Sequence, residues 1–120
     1  EVLIARGRTD EPIIHVQTAI MLAPGSAEAR NRLGVIMAER GKLDEAESNF
    51  LEAVNLRPSY ADAHNNLGIL LVRSGRVEAA IEEFRAAQHY SPDSPEIREN
   101  LATALARRTR SPILDPSEPR

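Results

Sequence analysis

One hundred and twenty residues, 42% of them hydrophobic and 28% charged, are enough for one domain with a modest core. The net charge of −3 argues against nucleic acid as the main partner, which would need a concentrated basic face, and no apolar run approaches the roughly 18 residues of a membrane span. The absence of cysteine excludes a disulfide framework, a thiolate nucleophile and a cysteine metal site. No signal-peptide pattern opens the chain, and the compartment stays undefined, with the cytoplasm as the default.

A 34-residue period organises the chain. Gly7, Gly41 and Gly75 keep that interval, as do Pro24, Pro58 and Pro92. Leu33-Gly34 recurs as Leu67-Gly68 and again as Leu101-Ala102, while Ala46, Phe50 and Ala53 return as Ala80, Phe84 and Ala87. A fixed interval of this size marks a repeat array and outranks any local reading.

The elements follow in chain order. "EVLIAR" starts on Glu1 and already reads as the inside of a helix, which is expected of a piece of a longer protein. Val2 to Arg6 fall where a helix finishes, with Gly7 as its cap. Residues 11–22 are read as a second helix with Pro12 in its first turn, where a missing N–H has no helical acceptor. Residues 1–26 are thus a partial unit.

The first complete unit is 27–60. Leu33, Ile36, Met37 and Arg40 recur at helical spacing, and Gly41 stops that helix as a left-handed cap. Asp44 and Glu45 suit the positive end of the next helix, whose inner face carries Ala46, Phe50, Ala53 and Val54. Small residues at Gly34 and Ala46 let the two helices approach, with Phe50 filling the space beside them. Residues 61–94 repeat this hairpin. Residues 95–110 supply a capping helix whose Ile97, Leu101, Ala104 and Leu105 cover the preceding hairpin. The ending "SPILDPSEPR", 111–120, is proline-rich and expected to be disordered.

The pattern L-G…A-x3-F…P on this period resembles the tetratricopeptide repeat (TPR), over 27–60 and 61–94 in full. Departures fall at the family's tryptophan position, occupied by Arg30, His64 and Arg98, and at its tyrosine position, occupied by Met37, Leu71 and Leu105. The resemblance implies an all-α fold: a right-handed superhelical α-solenoid of antiparallel hairpins, two full repeats flanked by partial ones. It also implies a protein-interaction scaffold whose concave groove is lined by the first helix of each unit.

Little else in the chain carries chemistry. His15, His64 and His89 occupy three different register positions and do not converge, so no metal site is expected, and His64 is read as a packing residue. No phosphate-binding, dinucleotide or nucleophile motif appears. Glu82 and Glu83 are adjacent on a helix and point about 100° apart, as a solvated face does. The arginines of "RRTRSP", 107–112, suit a helix C-terminus better than a docking motif. No enzyme activity and no cofactor are expected.

In the TPR register the groove presents three columns. Glu28, Asp62 and Glu96 are acidic, Asn31, Asn65, Asn66 and Asn100 carry amides, and Val35, Ile69 and Val72 are apolar. Asparagine offers a donor and an acceptor together, which suits an extended peptide main chain. "ADAHNNLGIL" is similar to repeats of the O-linked N-acetylglucosamine transferase TPR region, in which asparagine ladders hold a peptide backbone. Asn66 and Asn100 fall at that ladder position here, and Arg32 interrupts it. A carboxylate clamp for chaperone tails fits poorly, since only Asn66 agrees and an acidic column stands beside it.

The acidic column also lies in first turns and Arg73 and Arg107 in last turns, where the helix dipole favours them anyway. Glu28 and Arg32 have the spacing of a helical ion pair.

The expected function is a module binding an extended segment of a partner protein. Asn65, Asn66 and Asn100 would meet its backbone, Val35, Ile69 and Val72 its side chains, and Arg73 an acidic residue, with Asn31 and Arg32 at one end. Asn65, Asn66 and Ile69 are expected to be exposed. Two alternatives stay open: a substrate-presenting or structural arm of a larger enzyme such as a glycosyltransferase, and self-association through the apolar "EVLIA" stub.

Overall fold

The computed structural model describes residues 2–110, with side chains from 12 to 109. Six helices occupy this span: α1 (Val2–Leu22), α2 (Ala27–Glu39), α3 (Leu43–Leu56), α4 (Ala61–Arg73), α5 (Val77–Tyr90) and α6 (Pro95–Arg110). No strand occurs among the described residues. The tail from 111 onward lies outside them.

Each turn has a local cause. At the end of α2 the chain enters the left-handed region at Gly41 (φ 79°), and the Gly41 N–H donates to Ala38 O while Lys42 N–H donates to Met37 O. This pair of bonds is a Schellman motif, which satisfies carbonyls the helix would otherwise leave open. Gly75 (φ 82°) repeats it after α4, with bonds to Val72 O and from Arg76 N–H to Leu71 O. Ser26 and Ser94 cap α2 and α6 by accepting from the N–H of Ala29 and Ile97. Tyr60, in the same register before α4, makes no side-chain cap; its hydroxyl accepts instead from Asn31 Nδ2 at 3.4 Å.

The hairpins close around a missing atom. A Cβ on Gly34 would stand 2.5 Å from Phe50 Cε1, and one on Gly68 would stand 2.5 Å from Phe84 Cε1. Each ring lies against a bare stretch of helix, and both rings are buried with Ala46, Ala53, Ala80 and Ala87. Small residues allow the approach, and the phenylalanine fills what they leave.

Consecutive helices pack in order along the chain, and α2 also meets α4, as α4 meets α6. These three helices therefore form one inner wall, with α3 and α5 outside it. The molecule is an elongated α-solenoid of helix hairpins, 57 × 34 × 22 Å. No helix among the described residues is long and apolar enough to cross a membrane.

The first unit departs from expectation. α1 runs unbroken through Gly7 and Pro12, so the cap at Gly7 and the two-helix arrangement of residues 1–26 are replaced by a single helix. Pro12 sits in the interior of that helix rather than in a first turn. A glycine permits a left-handed reversal without imposing one, and helical propagation adds a bond per residue. The side chains of "EVLIA" lie outside those described.

Candidate functional site

The inner wall of α2, α4 and α6 carries most of the residues singled out above. Val35, Ile69, Val72, Asn66 and Asn100 are half-buried along it, and Arg32 and Arg73 are exposed. Asn31 and Asn65 are buried, at 9% and 6% exposure. The expectation that Asn65 is open to solvent is therefore corrected. Its register position gives the face, but the close approach of α4 and α6 covers it.

The asparagines bond to one another. Asn66 Nδ2 donates to Asn31 Oδ1 at 3.1 Å, and one repeat later Asn100 Nδ2 donates to Asn65 Oδ1 at 3.0 Å. Each bond joins neighbouring inner helices and fixes the plane of the outer amide. Asn66 Oδ1 and Asn100 Oδ1 accept no hydrogen bond among the described residues. Burial raises the Tyr60 pKa, and the bond from Asn31 opposes that shift.

Two clefts lie between the inner helices. The first, about 170 Å³, is lined by Val35, Ala38, Glu39, Phe50, Asn66, Ile69, Leu70 and Arg73. The second, about 150 Å³, is lined by Ile69, Val72, Arg73, Phe84, Asn100, Thr103 and Ala104. Adding 34 to each lining residue of the first, up to Leu70, reproduces the second. The clefts are therefore one subsite written twice, and Ile69 and Arg73 belong to both. Phe50, Phe84, Leu70 and Ala104 had no place in the sequence-based groove. The Gly34–Phe50 pairing was the available signal, because a helix without a Cβ lets the ring reach toward the groove.

Arg32 stands apart from these clefts. It lines a different one, about 260 Å³, with His15, Val16, Ala19, Ser26, Glu28 and Ala29. Val16 is in register with Phe50 and Phe84, and its smaller side chain leaves that space between α1 and α2.

Several charges are paired, two within a repeat and two across repeats. Glu28 pairs with Arg57 instead of Arg32, because Arg57 reaches back from the turn before α4 and also covers the Tyr60 ring at 4.7 Å. The hydrogen bond from Arg57 lowers the Glu28 pKa. Arg76 grips Glu47 with two bonds, 2.6 and 3.1 Å, and holds that carboxyl low as well. Arg108 lies 3.6 Å from Glu78. His64 is held at both ring nitrogens, 2.8 Å from Glu83 Oε1 and 2.8 Å from Pro58 O, and stacks on Tyr90. Among the described residues no group of three or more metal-ligating side chains converges.

This arrangement can be set beside known proteins. A family profile described as tetratricopeptide repeat matches residues 2–61, 38–95 and 65–112. No curated protein sequence matches the chain. Among solved structures it is similar to an O-GlcNAc transferase variant from Thermobaculum terrenum, at 34% identity and TM-score 0.71, over 75% of this chain and 17% of that one. The chain thus spans less than a fifth of that transferase's length. The first TPR of Spaghetti (RPAP3), bound to an HSP90 peptide, superposes with TM-score 0.80 at 20% identity, covering 88% of this chain and 84% of that one. MamA protein superposes with TM-score 0.78 at 23% identity, over 88% and 58% of the two chains. At those two identities the likeness is one of fold. Stacked hairpins of this kind generally serve as protein-interaction scaffolds, and this chain belongs to the tetratricopeptide-repeat family.

Proposed function

We propose that the inner groove binds an extended segment of a partner protein. Asn66 and Asn100 hold its main chain, and Val35, Ile69 and Val72 meet its side chains. One observation carries this reading: two outer amides in equal register, each pinned through Nδ2 to the next inner helix, with Oδ1 left to accept. An extended backbone needs such acceptors, and amides already held in place lose little freedom on binding. Asn31 and Asn65 position these amides. Arg32, beside α1, lies off this line of contacts.

A capture experiment tests it. The chain and a variant carrying Asn66→Ala, Ile69→Ala and Asn100→Ala are used as baits in parallel, with circular dichroism confirming that both are folded. Partners held by the first and lost by the second support the groove. Identical partners on both baits sink it.

The likeness to the O-GlcNAc transferase supports a second reading, in which this segment presents substrates to a catalytic domain elsewhere in the same polypeptide. The coding sequence flanking the segment decides it, since a gene without a catalytic domain removes the possibility.

A further inference from the structure

Resting on the reading that the groove binds an extended segment, we propose that it recognises a three-residue period in a polyproline-II-like ligand. Two apolar side chains, at positions i and i+3, enter the two equivalent clefts, and an internal Asp or Glu of the ligand lies beside the second cleft between Arg73 and Arg107.

The period follows from spacing. Packed helices lie about 8–10 Å apart, which sets the distance from one inner-helix cleft to the next. A polyproline II segment rises about 3.1 Å per residue with three residues per turn, so i and i+3 share a face about 9.3 Å apart. A β-strand misses this distance: its same-face residues are about 6.6 Å apart at i+2 and about 13 Å at i+4. A helix reaches about 10.5 Å at i+7, but its amides are already bonded internally and offer nothing to Asn66 Oδ1 or Asn100 Oδ1. Polyproline II has no internal hydrogen bonds, so its N–H groups are free to donate at each repeat.

The chemistry of the clefts agrees. Both have a phenylalanine (Phe50, Phe84) and share Ile69 as a common wall. Volumes of about 170 and 150 Å³ each suit one side chain, since an apolar cavity of about 150 Å³ takes a benzene-sized group.

Charge distinguishes the two ends. The position held by Glu39 beside the first cleft becomes Arg73 and then Arg107 at successive repeats. Arg57, Arg76 and Arg108 have carboxylate partners. Arg73 and Arg107 are exposed and make no ion pair among the described residues. An acidic residue on the ligand complements that free pair.

The test uses fluorescence anisotropy with labelled peptides, each made with an amidated and with a free C-terminus. Each carries two leucines separated by two, three or four positions in a serine–proline background, with or without a glutamate next to one leucine. A separation of three is expected to bind about tenfold tighter than the others, the loss of one buried side chain. The glutamate adds about threefold, and Arg73→Ala or Arg107→Ala removes that gain. Ile69→Asp, in the shared wall, abolishes binding, and Thr103→Glu at an exposed rim does the same for the second leucine without touching the core.

Equal affinity at every separation, still lost on Ile69→Asp, overturns the period while leaving groove binding intact. Binding that appears only with a free C-terminal carboxylate overturns the internal acid. No binding by any peptide, or binding indifferent to Ile69→Asp and Thr103→Glu, overturns both this inference and the groove reading beneath it.

Discussion

Gly68 shows how one absent methyl decides the packing of a hairpin. Exchanging a mid-helix glycine for alanine ordinarily stabilises a helix by about 1 kcal/mol. Here the added Cβ would stand 2.5 Å from the ring of Phe84, a side chain only 1% exposed and unable to withdraw. Overpacking of this kind costs about 1–3 kcal/mol, so Gly68→Ala is expected to destabilise, seen as a lower urea midpoint with unchanged slope. Ala102 holds the same register in α6 and is exposed. Ala102→Gly should therefore cost only the propensity difference, about 1 kcal/mol.

Asn65 is the other instructive residue. Asn65→Ala leaves Asn100 Nδ2 without its acceptor and is expected to lower stability by about 1–3 kcal/mol in a thermal melt. The Gly–Phe contacts were legible in the sequence because both partners recur together, one repeat on. The burial of Asn65 was not, because periodicity gives the face a side chain takes and not how near the next helix comes.

At the scale of the element, α1 is the outlier. Gly41 and Gly75 reverse the chain at caps held by two backbone bonds each, and their role was legible from spacing alone. Gly7 has the same spacing and remains helical, because a cap forms only where the following helix folds back onto its partner. Pro12 removes one intrahelical bond from α1, and its side chain is exposed. Pro12→Ala is expected to strengthen α1 by up to about 3 kcal/mol, measured as slower amide exchange confined to that helix.

Two ion pairs, Arg57–Glu28 within one hairpin and Arg76–Glu47 between two, shape the response to acid. Arg76 and Arg57 hold the carboxyls of Glu47 and Glu28 below their ordinary values. In the unfolded chain these groups titrate higher. Their stabilisation is complete above the unfolded value and is lost as pH falls through the folded one, in the window below about pH 4. The melting temperature should therefore fall on acidification, and less steeply in Glu47→Gln. Near neutral pH that substitution should cost about 1 kcal/mol or less, since the arginine of the pair is half exposed.

For the whole molecule, stability is a sum of hairpins and the faces between them. α6 buries Ile97 and Ala104 against the preceding hairpin, and its Arg98, Glu99, Ala102 and Ala106 are exposed. A chain ending at Ser94 bares the face of α5 that α6 covers. It is expected to melt lower and to associate with increasing concentration, a change sedimentation would detect; an unchanged melt and sedimentation profile would refute that covering role. The succession of hairpins was legible from the recurrence of Leu-Gly, Ala, Phe and Pro. The clefts were legible only in part: Val35, Ile69, Val72, Asn66 and Asn100 announced a groove, whereas Phe50 and Phe84 joined it through three-dimensional approach.

The sharing of Ile69 and Arg73 between adjacent clefts has a consequence for how such a surface changes in evolution. Each cleft takes one side from one repeat and the other side from the next, so the unit of inheritance and the unit of recognition are out of step by half. Duplicating a single repeat by unequal crossing-over would add one cleft, built from the two walls of the duplicated repeat, and leave every older cleft intact. Exchanging one repeat for a diverged copy would instead remake two clefts at once. Lengthening the groove is thus the conservative genetic event, and replacing its middle is the radical one.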